Sequence, residues 1–341
     1  MAQKTPLSDA IDDYRHWRKS QGFARQTLAN EKSVLLRFLA LTGNIYVSSV
    51  NERHITEFFT EASRTRGAGA QALDHSVLRG FFEWARQTRR CPSTHDPMFG
   101  RRKPRVAKRE RNRVHVSQFD HLLDVAGAHD PRDRAAVAIL IYLLIRDQEL
   151  ASLRVGDVDL DAGFVRVVVT KSSLEDDMPI CAELDTELRL WLDHYASVVG
   201  PLTPDMFLIP RRIVESIGER DALTGRIEKM KMRYDPSLPI SRNRGIVRRA
   251  LEGSGFPVTD HHGRPAHEGA HTLRRSGARA LFDRLCADGY DGALRIVQSM
   301  LHHSSISITE RYIGITADKH TRNDILKGKV MYAKETLRAV N

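Results

Sequence analysis

Apolar residues recur at helical spacing in four separate runs within the first hundred residues. The first run is followed by Gly22, the second ends before Gly43, and the third follows Asn51, a residue type that caps helix N-termini. Each run covers one face of a helix, so we predict a four-helix bundle over residues 1–100 with one shared core. The four runs are Leu7, Ile11, Tyr14 and Trp17; Leu28, Val34, Leu35, Phe38 and Leu39; Ile55, Phe58, Phe59 and Ala62; and Leu73, Val77, Leu78, Phe81, Phe82 and Ala85. Their aromatic rings are predicted to fill the core, the alternative being a platform on which nucleic-acid bases stack.

A second pattern begins after residue 115. Ser117 to Asp120 resembles a helix-capping sequence, and Ala135 to Ile145 is apolar on every face, which predicts a buried helix. Phe164 to Val169 is rich in β-branched residues and predicts a strand, with Met178 to Ile180 as its partner. The second domain, over residues 116–341, is therefore expected to mix helices with a small sheet.

The remainder of the chain is mostly helical in pattern from Asp185 onwards. A polar region that contains proline and glycine interrupts it from about Pro201 to Arg244, and another helix is predicted around Ile325 to Leu337. The fold class predicted for the whole chain is mainly α with a small β-sheet.

A basic segment separates the two predicted domains. Arg101 to Arg113 holds eight Lys or Arg residues against one Glu, and Pro104 interrupts any regular helix there. We predict a linker over residues 101–115 that lies along a DNA backbone, where each phosphate contact would steepen the salt dependence of binding. The alternative is a solvated connector. The predicted DNA-contacting residues are Arg101, Arg102, Lys103, Arg105, Lys108 and Arg109.

Charge and cysteine content narrow the class of protein. The 341 residues carry 53 Lys and Arg against 43 Asp and Glu, a net charge of +10, which favours an anionic partner, with nucleic acid ahead of a membrane surface. The three cysteines are far apart and odd in number, as expected in a reducing compartment. Neither an apolar N-terminal segment nor an apolar run of 18 residues occurs in the sequence, so we expect a soluble, cytoplasmic protein without a membrane partner.

The strongest pattern is near the C-terminus. His271-Thr-Leu-Arg274 is followed by Leu301-His-His303 and, nine residues after that last histidine, by Tyr312. Here the chain resembles the tyrosine recombinase and phage integrase family, whose members have a His-x-x-Arg motif, a Leu-Gly-His-like turn and a nucleophilic tyrosine in this order.

Two upstream positions extend the resemblance over the whole second domain. Arg146 is followed three residues later by Glu149, at the end of the apolar helix, and Lys171 follows the predicted strand. Taken singly, the histidines could be structural, Arg146 could interact with a helix dipole, and Tyr312 could be a half-buried tyrosine. All the positions in the right order, each on its expected element, favour the family, and the helical first domain resembles the family's core-binding domain.

The resemblance implies a metal-free reaction without a cofactor, and the residue types suit it. A phosphodiester attacked in line gathers negative charge on its non-bridging oxygens, which bidentate, permanently charged guanidiniums stabilise. A phenol has an ordinary pKa of about 10, so the nucleophile needs neighbouring cations and a proton acceptor. The catalytic set implied is Arg146, Lys171 as general acid, His271 as proton acceptor, Arg274, His303 and the nucleophile Tyr312, with Glu149 orienting Arg146. Loop residues such as Asp260, His261 and His262 are given no metal-ligand role.

Three departures from the family pattern stand out. His302 occupies the position where the family usually has glycine, so either the backbone differs or His302 adds a contact. The segment after Lys171, Ser-Ser-Leu-Glu-Asp-Asp-Met-Pro-Ile, is acidic where the family is often basic, which weakens the case for insertion into the minor groove. Arg275 follows Arg274, but only Arg274 has the motif spacing.

The resemblance also implies how the protein works. We expect an integrase of a phage or mobile element that acts as a homotetramer on double-stranded core-type or attachment sites, with an accessory directionality protein as a possible further partner. We expect no arm-binding domain, and a tail after Tyr312 that packs either on its own domain or in a neighbouring protomer. The alternatives are a chromosomal or plasmid dimer-resolving recombinase, a catalytically inactive DNA-binding protein of the same fold, and a type IB topoisomerase-like nicking enzyme.

Overall fold

The computed structural model describes residues 4–106, 112–169, 174–217, 230–241, 243–259, 263, 265–315 and 327. The chain divides into two compact units, Met1–Arg109 and Glu110–Asn341, and the division falls inside the predicted linker over residues 101–115. Lys108, Arg109, Lys171 and the helix predicted around residues 325–337 lie outside the described residues, as do the loop residues Asp260, His261 and His262.

The first unit contains the four predicted helices. They are α1 (Leu7–Ser20), α2 (Arg25–Thr42), α3 (Glu52–Thr65) and α4 (Ala68–Gln87). Asn51 caps α3 as predicted, because its side chain accepts hydrogen bonds from the backbone amides of Arg53 and His54.

The aromatic residues of this unit form its core. Phe38 meets Phe58 and Phe82 edge to face, and Tyr14 packs against Phe81 in the same way. All five rings are buried. The prediction that these rings fill a core is confirmed for them, whereas Trp17 at the end of the first run remains 39% exposed.

The second unit is built around one buried helix. Its helices are α5 (Phe119–His129), α6 (Pro131–Tyr142), α7 (Asp147–Ser152), α8 (Ala182–Val199), α9 (Asn243–Gly253), α10 (Ala270–Ala287), α11 (Ala293–Met300) and α12 (Ile306–Ile313). The residues of α6 from Ala135 to Ile141 are all buried, and α5, α8 and α10 pack around it. The apolar run predicted as a buried helix therefore forms the centre of the domain.

Among the described residues, two antiparallel sheets complete this unit. The first has the strand order β1 (Val158–Asp159), β2 (Phe164–Val169), β3 (Leu174–Pro179), and the second pairs β4 (Pro210–Ile217) with β5 (Met230–Pro239). In β2, every second side chain is buried against the helices.

Several predicted details were wrong. The partner of β2 starts at Leu174 rather than Met178, and α6 ends at Tyr142, so the apolar residues up to Ile145 continue outside the helix. A short 3-10 turn precedes α5, and Gln118 rather than Ser117 is its N-cap residue. The region from about 201 to 244 contains the β4–β5 hairpin, which the sequence pattern did not indicate.

Close contact between α10 and α6 sets the position of the His-x-x-Arg motif. A Cβ atom placed on Gly277 would lie 1.8 Å from the carbonyl oxygen of Ile141, so only glycine permits this approach. Gly277 is one turn beyond Arg274 on the same helix, and the contact therefore places Arg274 against the segment that follows α6.

Candidate active site

Arg146 lies on the connection between α6 and α7 rather than directly at the end of the buried helix, as the sequence predicted, because α6 already ends at Tyr142. The backbone leaves α6 through Leu144, which has a left-handed φ of 55°, and Arg146 is the N-cap residue of α7. Its guanidinium donates to Glu149 Oε1 at 2.7 Å, and its backbone amide donates to Glu149 Oε2 at 2.6 Å. The i, i+3 spacing read from the sequence thus corresponds to a capping interaction that fixes the guanidinium.

Glu149 joins the two predicted arginines. Besides its bonds to Arg146, its Oε2 atom lies 3.5 Å from Arg274 Nη1, and the side chain is fully buried. Burial raises the pKa of Glu149, but hydrogen bonds from Arg146 and the charges of both arginines outweigh this and hold the pKa below its ordinary value. The carboxylate therefore stays charged and orients both guanidiniums.

Arg274 is almost completely buried at 1% exposure. Its Nη2 atom donates to the carbonyl oxygen of Leu301 at 2.7 Å, and Arg146 Nη2 lies 3.4 Å from the same oxygen. Burial lowers the pKa of Arg274 to about 10, although the phenol of Tyr312 and the carboxylate of Glu149 act in the opposite direction. The group is still cationic at neutral pH, and its poor solvation favours an incoming anion.

One donor of Arg274 is only weakly paired within the protein. Nη1 is buried and lies 3.5 Å from Glu149 Oε2, and none of the described acceptors meets strict hydrogen-bond geometry with it, while the phenol of Tyr312 also interacts with the guanidinium. A buried donor with a poorly placed acceptor costs free energy. A phosphate oxygen would supply a better acceptor.

Tyr312 lies beside this arginine cluster within the same chain. It is half-buried on α12, and its hydroxyl donates to the backbone oxygen of His271 at 3.3 Å. The Tyr312 ring meets the His303 ring edge to face, with 5.2 Å between centroids. His271 is exposed in the first turn of α10, one helical turn before Arg274.

The turn between α11 and α12 positions His303. The backbone amide of His303 donates to the carbonyl oxygen of Gln298 at 3.1 Å, and the backbone amide of His302 donates to the carbonyl oxygen of Ser299 at 2.9 Å. His302 has a left-handed φ of 49°. This is the geometry of a Schellman helix ending, in which glycine is the usual residue at the left-handed position. The imidazole of His303 is held by the hydroxyl of Thr309, 3.1 Å from Nδ1.

Sequence reasoning missed two residues at this site. The guanidinium of Arg275 is buried, pairs with Glu268 at 2.5 Å, and lies 5.2 Å from the centre of the Tyr312 ring. Arg113, at the end of the basic segment, donates to the backbone oxygen of Ile313, next to Tyr312. The spacing of the motif excluded Arg275, and the contact of Arg113 spans 200 residues, so a local pattern could not reveal it.

The β2–β3 hairpin lies beside the turn. Val169 and Leu174 are paired at its end, and Lys171 belongs to the four residues between them. His302 Nε2 lies 2.7 Å from Asp176 Oδ2, so the unusual histidine contacts the acidic strand. The structure therefore brings together Arg146, Glu149, His271, Arg274, His303 and Tyr312 but does not describe Lys171.

The predicted DNA-contacting residues that are described lie in the first unit. Arg102, Lys103 and Arg105 are exposed, whereas the guanidinium of Arg101 packs 4.1 Å from the centre of the Phe59 ring. A cavity of about 740 Å³ lies against α4. Its lining residues are His75, Ser76, Arg79, Gly80, Glu83, Gly100, Arg101, Arg102 and Lys103.

The part of the chain that the structure describes contains no cluster of three or more His, Cys, Asp or Glu side chains that could hold a metal ion. No helix among the described residues has the length and apolar character needed to span a membrane.

Comparisons with known proteins agree on one family. Residues 112–319 match the phage integrase family. Tyrosine recombinase XerC of Salmonella typhi is 26% identical over 84% of this chain and 84% of its own length, and XerA of Pyrococcus furiosus is 22% identical over 97% and 98%.

Solved structures share the fold at low sequence identity. A lambda integrase dimer bound to a COC′ core site covers 91% of this chain and 77% of that chain with a TM-score of 0.66 and 17% identity. XerH bound to a palindromic difH substrate covers 94% and 83% with a TM-score of 0.62 and 14% identity.

Proposed function

Because this chain belongs to the phage integrase family, we propose that it cuts and rejoins DNA strands through a covalent bond to Tyr312. The chain is a tyrosine-type site-specific DNA recombinase, as its relatives over nearly the whole length indicate. The finer proposal concerns which residues act, and it rests on the geometry of the second unit.

One observation carries the proposal. Arg146 and Arg274 are held by the same carboxylate and converge on the same carbonyl oxygen, and the guanidinium of Arg274 interacts with the phenol of Tyr312. A site that must receive a phosphate keeps donors directed at the charge that develops in the transition state.

The proposed reaction follows from these positions. The Tyr312 oxygen attacks the scissile phosphorus while Arg146, Arg274 and His303 stabilise the charge on the non-bridging oxygens. His271 accepts the phenol proton, and Lys171 donates a proton to the departing 5′ oxygen. The products are a 3′-phosphotyrosine bond and a free 5′-hydroxyl, and attack by another 5′-hydroxyl reverses the step without ATP.

We propose that the protein integrates a phage or mobile element. Lambda integrase and XerH share this fold, so the fold is compatible with integration and does not distinguish it from the second candidate. The second candidate is a dimer-resolving recombinase, and it is favoured by the names of the curated relatives, which are Xer recombinases. The DNA beside the gene separates the two: an attachment core next to it supports integration, and a partner site at the chromosomal terminus without one supports resolution.

The proposed substrate is double-stranded DNA with core-type sites, and the proposed active form is a homotetramer. One solved structure of similar fold is a lambda integrase tetramer bound to a Holliday junction. Arg102, Lys103 and Arg105 are exposed and therefore accessible to phosphates. A DNA substrate of this kind places the proposed activity in the cytoplasm of the bacterial host, where a directionality protein would be a further partner.

A suicide substrate tests the proposal. A nicked duplex that loses its short 5′-hydroxyl fragment traps the covalent adduct, because no nucleophile remains to reverse the step. The wild-type protein should accumulate an adduct without added Mg²⁺, and Tyr312→Phe should bind the same DNA and form none. An adduct on Tyr312→Phe, or a wild-type protein that forms none, would contradict the assignment.

A further inference from the structure

Arg275 follows Arg274 on α10 and is buried to the same degree. Both residues are 1% exposed. Arginine is almost never buried this deeply unless its charge is paired. Consecutive residues of a helix point about 100° apart around its axis, so the two guanidiniums leave α10 in different directions. The proposed reaction uses the first of these buried charges, and the contacts of the second show what it can act on.

The terminal nitrogens of Arg275 are engaged within the protein. Nη2 donates to Glu268 Oε2 at 2.5 Å, and Nη1 donates to the backbone oxygen of Asn112 at 3.3 Å. Its Cζ atom lies 5.2 Å from the centre of the Tyr312 ring, which is within the range of a cation–π contact. Arg275 therefore directs its charge at the nucleophile rather than its donors at a phosphate.

The carboxylate that pairs with Arg275 does not cancel this charge at the ring. The side chain of Glu268 is 46% exposed, whereas Arg275 is almost completely buried. Water and salt screen an exposed charge much more than a buried one, so the net field at the Tyr312 ring is positive. A phenolate carries negative charge that is partly spread over its ring, and a nearby cation stabilises this form more than the neutral phenol.

A short segment, residues 112–114, joins α10 to α12. The guanidinium of Arg113 donates to the backbone oxygen of Ile313 at the end of α12, and the backbone amide of Val114 donates to Ser276 Oγ on α10 at 2.9 Å. Because the two bonds come from neighbouring residues, they fix the spacing of the two helices. The buried arginine and the nucleophile lie on these helices, so the fold sets the distance between them.

The other titratable groups near the Tyr312 phenol have additional tasks. The guanidinium of Arg274 interacts with this phenol, but its donors are the ones proposed to bind the phosphate. His303 meets the ring edge to face and is also proposed to face the phosphate, and His271 is the proposed proton acceptor. Arg275 differs from these groups because its terminal nitrogens are engaged elsewhere, so its charge remains with the nucleophile throughout the step.

We propose that Arg275 is a positioning residue for the nucleophile, which holds the Tyr312 ring and stabilises the negative charge that develops on the phenol as its proton passes to His271. This inference rests on the proposed function, in which the Tyr312 oxygen forms a bond to the scissile phosphorus while the bond to the 5′ oxygen breaks. It gives the two buried arginines of α10 separate tasks, since Arg274 acts on the phosphate and Arg275 on the nucleophile.

A more acidic nucleophile tests this role. Tyrosine fluorinated at both ring positions beside the hydroxyl has nearly the shape of tyrosine, but its phenol is ionised at mildly alkaline pH without the help of a cation. When it replaces Tyr312, the charge of Arg275 should matter much less. On the suicide substrate at mildly alkaline pH, we expect Arg275→Met to slow adduct formation about tenfold with tyrosine at this position and less than about twofold with the fluorinated residue.

Two further variants sharpen the comparison. Arg275→Lys keeps a cation but lacks the planar fork that reaches both Glu268 and Asn112, so its loss of rate should be smaller, about threefold, and should also disappear with the fluorinated nucleophile. This variant carries the test if Arg275→Met does not fold. Arg284→Met is the matched control, because Arg284 lies on the same helix in an exposed pair with Asp288, and it should cleave at the wild-type rate with either nucleophile.

DNA affinity provides a second readout. The affinity of Arg275→Met for the same duplex should stay within about twofold of wild type, because the engaged donors of Arg275 are not directed at a phosphate. A larger loss of affinity would mean that Arg275 binds DNA directly and would contradict the positioning role.

The outcomes separate this inference from the proposed function. If the wild-type protein forms the adduct but the Arg275 variants are slowed equally with both nucleophiles, or with neither, the positioning role is wrong and the recombinase assignment stands. If the wild-type protein forms no adduct, the assignment fails, and the positioning role fails with it.

Discussion

Two buried clusters of arginines and carboxylates in the second unit differ in how completely they are paired. At the start of α6, Arg132 donates through Nε and Nη2 to Asp133 and through Nη1 to the carbonyl of Pro210. Arg249 also pairs with Asp133, at 2.9 Å. We call this set the α6 network. The other cluster is formed by Arg146, Glu149 and Arg274. Here too one carboxylate serves two guanidiniums, but the buried Nη1 of Arg274 lies 3.5 Å from that carboxylate and has no well-aligned acceptor among the described residues.

The completely paired cluster contributes to stability, whereas the incompletely paired cluster can bind a ligand. The α6 network joins α6 to β4, β5 and α9, because Asp130 in addition accepts from the hydroxyl of Tyr234 at 2.7 Å and pairs with Arg212 at 2.9 Å. Burial, followed by the hydrogen bond to Asp130, raises the pKa of Tyr234, so this phenol stays protonated as a donor. A cluster whose donors are used internally has nothing left with which to bind a ligand. The incomplete cluster is the one that can receive a phosphate.

The largest expected effect comes from Arg274→Met. Loss of one preorganised cationic donor should lower the cleavage rate on the suicide substrate by about 10³-fold. Stability should fall less than in the α6 network, because methionine fills similar space, Glu149 keeps its two bonds to Arg146, and the Leu301 carbonyl that loses Arg274 Nη2 keeps Arg146 Nη2 at 3.4 Å. Measurements of the cleavage rate and of thermal unfolding check both points. If the variant is so unstable that unfolding accounts for its lost activity, Arg274 is a structural residue.

The same substitution in the α6 network should give the opposite result. Arg132→Met leaves the carbonyl of Pro210 without its donor and removes one of two cations from buried Asp133, so the free energy of unfolding should fall by about 3 kcal/mol. Adduct formation measured well below the melting temperature should stay within about twofold of wild type. Denaturant titration measures the first quantity, and a cleavage rate reduced as strongly as in Arg274→Met would remove the distinction between the two clusters.

The sequence was sufficient to predict the helices whose apolar residues recur at regular helical spacing. It was also sufficient to predict the motif residues whose types the reaction requires. Arg274, His303 and Tyr312 follow a spacing that could be read directly, and the structure places them together. The β4–β5 hairpin could not be predicted in this way, since its strands are rich in charged residues and Pro236 interrupts β5, so the alternation of apolar residues is weak.

What the sequence could not reveal is contact between distant segments. The α6 network joins residues of α6 to β5 and α9 across more than a hundred positions, and each member looks like an ordinary surface charge in the sequence. The same holds for His302 and Asp176, which were recognised separately as departures from a pattern. Their pairing depends on how α11 and β3 pack, and no local periodicity encodes that.

The smallest expected effect is the pH dependence that Glu149 contributes. Its pKa is lower in the folded protein than the ordinary value of 4.5, so its charge stabilises the fold above that value, and this contribution is lost as the pH falls through the folded pKa. Glu149→Gln lacks the charge at every pH. The unfolding free energies of wild type and Glu149→Gln should therefore differ more at pH 7 than at strongly acidic pH, where they approach each other. Denaturant titrations of both proteins between about pH 3 and pH 7, the range over which a carboxylate titrates, measure this difference. If the difference between the two unfolding free energies does not depend on pH, the carboxylate orients the two arginines through its shape and hydrogen bonds rather than through its charge.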